Sequence, residues 1–338
     1  MLPSRAAVPL SGSWHPRSMS RPRAPLPPSL RTAVFTVADA QSLGVSRRRL
    51  RGDDLLAPAR GLRLRADADV TELDLAAAIT DGIPGAVVSH RSAARLWGMP
   101  LPFADRVEAW TPRTPLDLTV PPYASRPRAS GIRAHRAVIP PEHVRRVAGV
   151  AVTSREWTFI DLGRVVDLPQ LVAVADHLLR WPRFQFEGRE APWSTPARLA
   201  ALVEQAAPRW GITEVRRALA RSRAGADSPQ ETRLRLALED AGLPAAELNV
   251  PIRTPSGVRL HEPDLQWPLW RVAAEYEGPH HRSSEQLDRD IDRAERLRRH
   301  GWTEVRVTAR DMRDGCRRAV VRVAEALRMS GWEPGRAG

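Results

Sequence analysis

Asp264-Leu265-Gln266-Trp267-Pro268-Leu269-Trp270-Arg271-Val272-Ala273-Ala274-Glu275-Tyr276-Glu277-Gly278, with His280 and His281 close behind, is the stretch whose reading decides the fold. Its three carboxylates sit in or beside short apolar runs of strand character. Side chains alternate across a strand, so Ala273, Glu275 and Glu277 share one face while Val272, Ala274 and Tyr276 take the other. An aspartate on the preceding strand can meet the glutamates at one spot. Crowded carboxylates repel and resist ionisation unless a proton or a cation intervenes. A hard divalent cation, Mg²⁺ or Mn²⁺, answers that need. A metal held by two carboxylates is a common device for activating water against a phosphodiester.

Working outward, Ser228-Pro229-Gln230-Glu231 reads as a capping box, with Leu234 and Leu238 on one helix face and Gly242 as the stop. Glu231 has two readings: it satisfies a backbone N–H at the helix start, or it reaches the metal. Strands are predicted at Asn249–Arg253, Val258–Leu265 and Arg271–Glu277, the first two joined by the turn Thr254-Pro255-Ser256-Gly257. A helix over Ser284–His300 places Leu287, Ile291, Ala294 and Leu297 inward, with Asp292–Arg296 and Glu295–Arg299 as surface pairs. Asp290 falls on the core-facing edge, flanked by Arg293. Either they orient His281 or a phosphate from behind the ligands, or they pair to seal the helix against the sheet. Trp302–Val307 is a further strand, and an amphipathic helix follows Asp311.

As an ordered set, Ser228–Arg235, Gly242-Leu243-Pro244, Glu262-Pro263-Asp264-Leu265, Glu275-Tyr276-Glu277-Gly278, His281, Asp290, Arg293, Leu297 and Gly301-Trp302 resemble a known family. It is the group of endonuclease-like domains related to very short patch repair endonucleases, in the PD-(D/E)XK nuclease superfamily. The resemblance covers roughly a quarter of the chain. It implies Asp264 and Glu275 as metal ligands, with His281 and Glu231 able to join the site. The superfamily pattern places a lysine at position 277, where this chain has glutamate. All 52 Lys+Arg residues are in fact arginine. Arginine does not deprotonate and makes a poor base, so a histidine, or a second metal on Glu277, would have to help.

The chain has 338 residues, a net charge of +13 and 42% hydrophobic residues. That length suits two or three domains. The positive excess favours polyanions, nucleic acid first. No apolar run approaches the ~20 residues of a membrane helix. The single cysteine, Cys316, rules out an internal disulfide and fits a reducing, cytoplasmic setting. Residues 1–31 read as a disordered Pro/Arg/Ser-rich extension and not as a signal peptide.

Residues 32–66 read as a winged helix-turn-helix. A helix near Thr36–Leu43 is followed by a turn at Gly44-Val45, a second helix capped by Ser46, and a wing around Leu55-Leu56 and Gly61–Leu64. The second helix of this motif enters the major groove, so Arg47, Arg48, Arg49 and Arg51 are the expected DNA contacts. Ser89 should cap a helix that Gly98 stops, with His90 in a structural role. Short strands are predicted at Val107–Trp110, Leu116–Val120, Ile132–His135 and Val150–Val152. The Ser46–Leu50 helix, the Gly61–Leu64 wing, Ser89–Ala94 with Trp97-Gly98, and Val152–Leu162 together resemble the N-terminal region of AbiE-type antitoxins. That resemblance implies promoter binding and autoregulation. Residues 163–227 read as a helical connector in which Thr195-Pro196 starts one helix and Thr213 caps another.

The expected architecture is therefore α/β: a winged helix, an α+β region over 67–162, the connector, and an α/β/α nuclease-like domain with a central mixed sheet over 228–330. Two main functional readings follow, with an RNA-binding or RNA-cleaving protein as a third. One is a DNA-binding protein with Mg²⁺- or Mn²⁺-dependent endonuclease activity. The other is a non-catalytic antitoxin or transcriptional regulator that keeps the nuclease fold and pairs with a toxin protein. No membrane partner is expected, and the sequence does not speak to oligomeric state.

Overall fold

Thr36 turns the chain from strand to helix: its Oγ1 accepts the Asp39 N–H at 2.9 Å. The structure is a computed structural model describing residues 23–31, 33–101, 110–183, 187–278 and 284–335, with the backbone alone for 284–290. The first unit pairs β1 (Phe35–Thr36), β2 (Leu55–Leu56) and β3 (Leu62–Arg65) in the antiparallel order β1-β3-β2, with α1 (Val37–Ser42) after β1. The helix expected from Arg47 shrinks to one 3-10 turn, Arg49–Arg51. Ser46 Oγ accepts the Arg49 N–H at 3.2 Å, as a cap should. The chain then goes extended at Gly52 (φ −60°, ψ 144°), which stops propagation.

A five-stranded mixed sheet follows: β4 (Val87–Val88), β5 (Leu116–Val120), β6 (Ile132–Arg136), β7 (Val144–Val147) and β8 (Val150–Thr153), in the order β6-β5-β4-β8-β7. β5 is buried along its whole length. The two-residue β4 and the Arg-rich β7 were not legible as strands. The expected strand at 107–110 lies almost wholly outside the described residues. α2 (Glu72–Asp81) starts with a full capping box between Thr71 and Asp74. α3 (His90–Leu96) starts differently. Ser89 makes no side-chain cap, because its Oγ is taken by His90 Nδ1 at 2.9 Å and by Thr119 Oγ1 at 2.8 Å.

Four helices cover the middle of the chain: α4 (Arg155–Leu162), α5 (Leu168–Leu179), α6 (Pro196–Gln205) and α7 (Ile212–Arg221). Thr213 does not cap α7. Gly211 does, at φ +89°, where a residue without Cβ is favoured. The core of this layer holds Trp157, Phe159, Leu171, Leu178, Leu199 and Val215. It also takes in Ala94 of α3 and Leu236 of α8 (Pro229–Asp240). At about 1.5–3 kcal/mol for each large side chain fully buried, this cluster ties the regions on both sides to the helices. Asp176 on α5 reinforces the joint: its Oδ2 accepts Arg235 at 2.9 Å and Thr232 at 2.8 Å, all three side chains buried.

In the C-terminal region β9 (Glu247–Leu248), β12 (Leu265–Trp267), β13 (Val272–Glu277) and β14 (Thr303–Thr308) form a mixed sheet in the order β14-β13-β12-β9. β10 (Ile252–Arg253) and β11 (Arg259–His261) form a separate two-stranded ribbon. The expected strand 258–265 is thus broken between His261 and Leu265. Pro263 lies in the break and has no N–H to give to a ladder. α9 (Ser284–Arg299) and α10 (Arg313–Met329) complete the region.

Register explains the two faces of this sheet. Leu248, Leu265, Ala274 and Val305 occupy one row and pack in a core with Leu234, Leu238, Val323 and Leu327. The neighbouring row Glu247, Gln266, Ala273 and Glu304 points the other way, where Ala273 packs with Leu297 of α9. On α9 the expected inward face is rotated. Ile291 is exposed, whereas Arg293, about 200° further round, turns to the sheet. Among the described residues the fold is mixed α/β with ten helices and several open sheets, and no helix is long and apolar enough to cross a membrane.

Candidate metal centre

One row beyond Leu248–Leu265–Ala274–Val305 lie Asn249, Asp264, Glu275 and Arg306. Glu275 pairs with Arg306 across the parallel β13–β14 ladder, and the Asn249 N–H donates to the Asp264 carbonyl at 3.1 Å. Asp264 sits one step before Leu265, whose partner is Ala274, so its register position faces Glu275. The Asp264 carboxylate accepts the Tyr276 N–H at 2.7 Å through Oδ2, filling the ladder position that the strand break leaves open.

Glu231 enters from the start of α8. The Ser228 Oγ accepts its N–H at 3.2 Å, but its own carboxylate reaches past Ser228 to the Asp227 N–H at 2.8 Å. The box predicted from sequence is therefore shifted by one residue at its return bond. The same Oε2 accepts from Asn249 Nδ2 at 2.8 Å. Burial raises the Glu231 pKa, and the Asn249 and Asp227 donors only partly oppose it. Asp264 is pushed up to about 7, first by burial, then by the charge on Glu231, with Glu275 adding to it. Three carboxylates from a helix start, a strand break and a central strand therefore feel one another. No arginine forms a salt bridge to Asp264 or Glu231 among the described residues.

Glu275 is treated differently. Burial pushes it up, yet the hydrogen bond with His261 and the charge of Arg293 hold it below the ordinary glutamate value. His261 Nε2 lies 3.1 Å and Arg293 3.2 Å from the same oxygen, Oε2. Arg293 Nε also lies 3.3 Å from Glu304 Oε1, and Arg306 reaches Glu304 at 3.2 Å and Glu277 at 3.5 Å. Ligand atoms of His261, Glu275 and Glu304 all come within 4.8 Å of one another. Glu275 and Glu304 thus already carry a guanidinium. Asp264 and Glu231 have no arginine in salt-bridge contact among the described residues, but they bear on Glu275 through charge and do not join the convergent set of His261, Glu275 and Glu304.

Comparison with known proteins adds kinship at this point. Two mycobacterial relatives, uncharacterized protein MT2308 of Mycobacterium tuberculosis strain CDC 1551 / Oshkosh and uncharacterized protein Rv2248 of strain ATCC 25618 / H37Rv, are each 32% identical over 205 residues. The match spans 60% of this chain and 71% of each relative. The chain belongs to their family. No family model matches it, and no solved structure does.

Within this family member the other expected site residues fall as follows. His281 lies outside the described residues, as does the side chain of Asp290. Arg293 reaches across to Glu275 and Glu304, and its expected pairing with Asp290 falls on a side chain outside the described residues. Arg47, Arg48 and Arg51 are exposed beside the 3-10 turn. Arg49 is not free in the same way. It grips Asp54 with both guanidinium nitrogens, at 3.0 and 2.6 Å, and donates to the Ala24 carbonyl at 2.7 Å.

Three residues of the site escaped sequence reading: Asn249, His261 and Glu304. Glu304 and Arg306 do share the polar parity of their strand, but nothing in the sequence states which residues of β13 they face. Asn249 carries a local signal, a turn-forming residue that adopts φ +50° more readily than most.

Proposed function

We propose that this protein binds DNA and hydrolyses its phosphodiester bonds with Mg²⁺ or Mn²⁺ held by Asp264 and Glu275. The observation that carries the reading is the register that sets Asp264 opposite Glu275, where burial and the charge of Glu231 raise its carboxyl to about 7. Such a group wants a proton or a metal. A bound ion would supply a water of lowered pKa and a counter-charge for the phosphate. The protein's own residues do the rest. Tyr276 N–H and Asn249 aim Asp264 and Glu231. His261, beside Glu275, can accept the proton from water, a task no arginine performs. The exposed Arg47, Arg48 and Arg51, with the +13 net charge, would hold the phosphate backbone. The resemblances to very short patch repair endonucleases and to AbiE-type antitoxins point to the same division of labour.

A second reading has its own support. Arg293 already neutralises Glu275 and Glu304, and Arg306 stands by Glu277. Such internal pairing suits a fold kept as a scaffold in an antitoxin-type regulator with a toxin protein as partner. Nicking of supercoiled plasmid with Mg²⁺ or Mn²⁺, comparing wild type with Asp264→Ala, separates the two. Metal-dependent nicking that vanishes in the variant supports hydrolysis. Absence of nicking with either metal, while duplex binding persists, overturns it in favour of the regulator.

A further inference from the structure

The cleft between β6 and the helical layer lies away from the acidic site, and neither functional reading uses it. It encloses about 720 Å³, within the range of small-molecule sites. His90 and Asp161 form its floor. His90 holds a positive φ of 50°, a strained setting for a side chain of its kind. Its ring stacks on His135 at 3.6 Å between centroids, and His135 Nε2 in turn meets Asp117 at 2.8 Å. Asp161 is almost fully buried; its Oδ1 accepts Arg209 at 3.2 Å, and its Oδ2 lies 4.0 Å from His90 Nδ1. Burial raises Asp161 to about 7, whereas burial and the surrounding positive charge lower His90 to about 2. Near neutrality the His90 ring is therefore neutral, while Asp161 stands between its protonated and ionised forms.

The walls carry the opposite character. Arg126, Arg133, Arg136, Arg164 and Arg209 all line the cleft, against the two acids Asp117 and Asp161. Arg126 and Arg164 have no ion-pair partner among the described residues. At the rim stands Trp210, 82% exposed, with the Arg164 guanidinium 5.5 Å from its ring centre. An indole this exposed gains nothing from the core. It offers a flat face for another aromatic ring.

We infer that this cleft binds a phosphorylated nucleoside, with the base stacked on Trp210 and the phosphate held by Arg133, Arg164 and Arg209. Excess guanidinium charge selects the phosphate, the indole selects a planar ring, and the His90–Asp161 floor supplies hydrogen bonds at the depth a sugar or base edge would reach. The ligand is either a free nucleotide or an unpaired nucleotide at the end of a strand.

Isothermal titration of the full chain with 5′-dAMP, with a 5′-phosphorylated single-stranded oligodeoxynucleotide, and with inorganic phosphate tests this. Binding of dAMP or of the oligonucleotide, each stronger than phosphate, is expected. Trp210→Ala and Arg164→Gln should each weaken that binding by about tenfold or more while leaving thermal unfolding unchanged, since both side chains are at the surface. If dAMP binds and competes with the oligonucleotide, the source is the free nucleotide. If only the oligonucleotide binds, and the same variants weaken it, the source is a strand end. Failure of both to bind, equal binding of phosphate, or binding indifferent to both variants would overturn the inference.

Discussion

Asn249 Nδ2 donates to Glu231 Oε2 at 2.8 Å, and the same amide donates to the Gly225 carbonyl at 2.8 Å. One side chain thereby ties the segment before α8 to the acid that faces Asp264. It does so from a left-handed backbone, φ +50°. Asn249→Ala should cost about 1–3 kcal/mol, because it leaves the buried Glu231 short of a donor and places Ala at a positive φ. Asn249→Gly keeps the backbone and drops only the donor. Urea unfolding of both variants separates the contributions, and Asn249→Gly should still weaken divalent-ion binding. Unaltered ion affinity in that variant would remove Asn249 from the site.

The proton and the metal should compete for Asp264. Its folded-state pKa, about 7, stands above the ordinary 3.8. A raised carboxyl stabilises the fold most at low pH, so in metal-free protein this contribution is lost as pH climbs from about 4 to about 7. Mg²⁺ needs the ionised form, hence its affinity should rise over the same range and binding near pH 6 should release a proton. Calorimetric titrations in buffers of different ionisation enthalpy count that proton. Mg²⁺ affinity that is flat across this window would contradict the assignment.

Arg293 should act as a built-in substitute for a cation at Glu275 and Glu304. Arg293→Gln removes that charge, and the pair left behind should repel. The metal-free variant is expected to melt below wild type, and millimolar Mg²⁺ should raise its melting temperature by more than it raises that of wild type. Equal Mg²⁺ shifts in both proteins would mean that Arg293 does not stand in for a metal.

Near the N-terminus, two kinds of arginine should behave differently. Arg47→Ala, Arg48→Ala and Arg51→Ala together should weaken duplex binding and flatten its dependence on salt. Arg49→Ala should instead lower stability, because Arg49 is committed to Asp54 and to the Ala24 carbonyl. Fluorescence anisotropy at several salt concentrations, with thermal unfolding in parallel, distinguishes them. A salt slope that changes for Arg49→Ala alone would reverse the roles.

The buried pair of Asp176 and Arg235 should be costly to break from one side. Arg235→Ala leaves the Asp176 carboxylate buried with less compensation and is expected to cost about 3–5 kcal/mol. Asp176→Leu combined with Arg235→Met should cost less than either single loss. Chemical denaturation of the set measures the coupling directly.

Much of this fold could be read ahead because short-range rules governed it. Thr195 and Ser228 start helices where their hydroxyls predict, and the alternation of Val272 to Glu277 sets two faces of one strand. What escaped depends on contacts distant in sequence. Ser89 looks like a cap, but Thr119, thirty residues on, claims its hydroxyl. Ile291 has helical spacing for the core, but Arg293 is drawn inward by acids on two strands. His261 meets Glu275 only because the strand breaks at Pro263 and the ribbon folds across the sheet, a geometry no local pattern encodes.

Helix α8 looks in two directions at once. Leu234 and Leu238 belong to the sheet side, while Leu236 and Arg235 are sunk among the central helices. A fragment begun at Ser228 to isolate the acid cluster would carry a bare leucine and a stranded guanidinium on its surface. It would be expected to precipitate or to stay partly molten, so an inert result from such a fragment would say nothing about the intact chain.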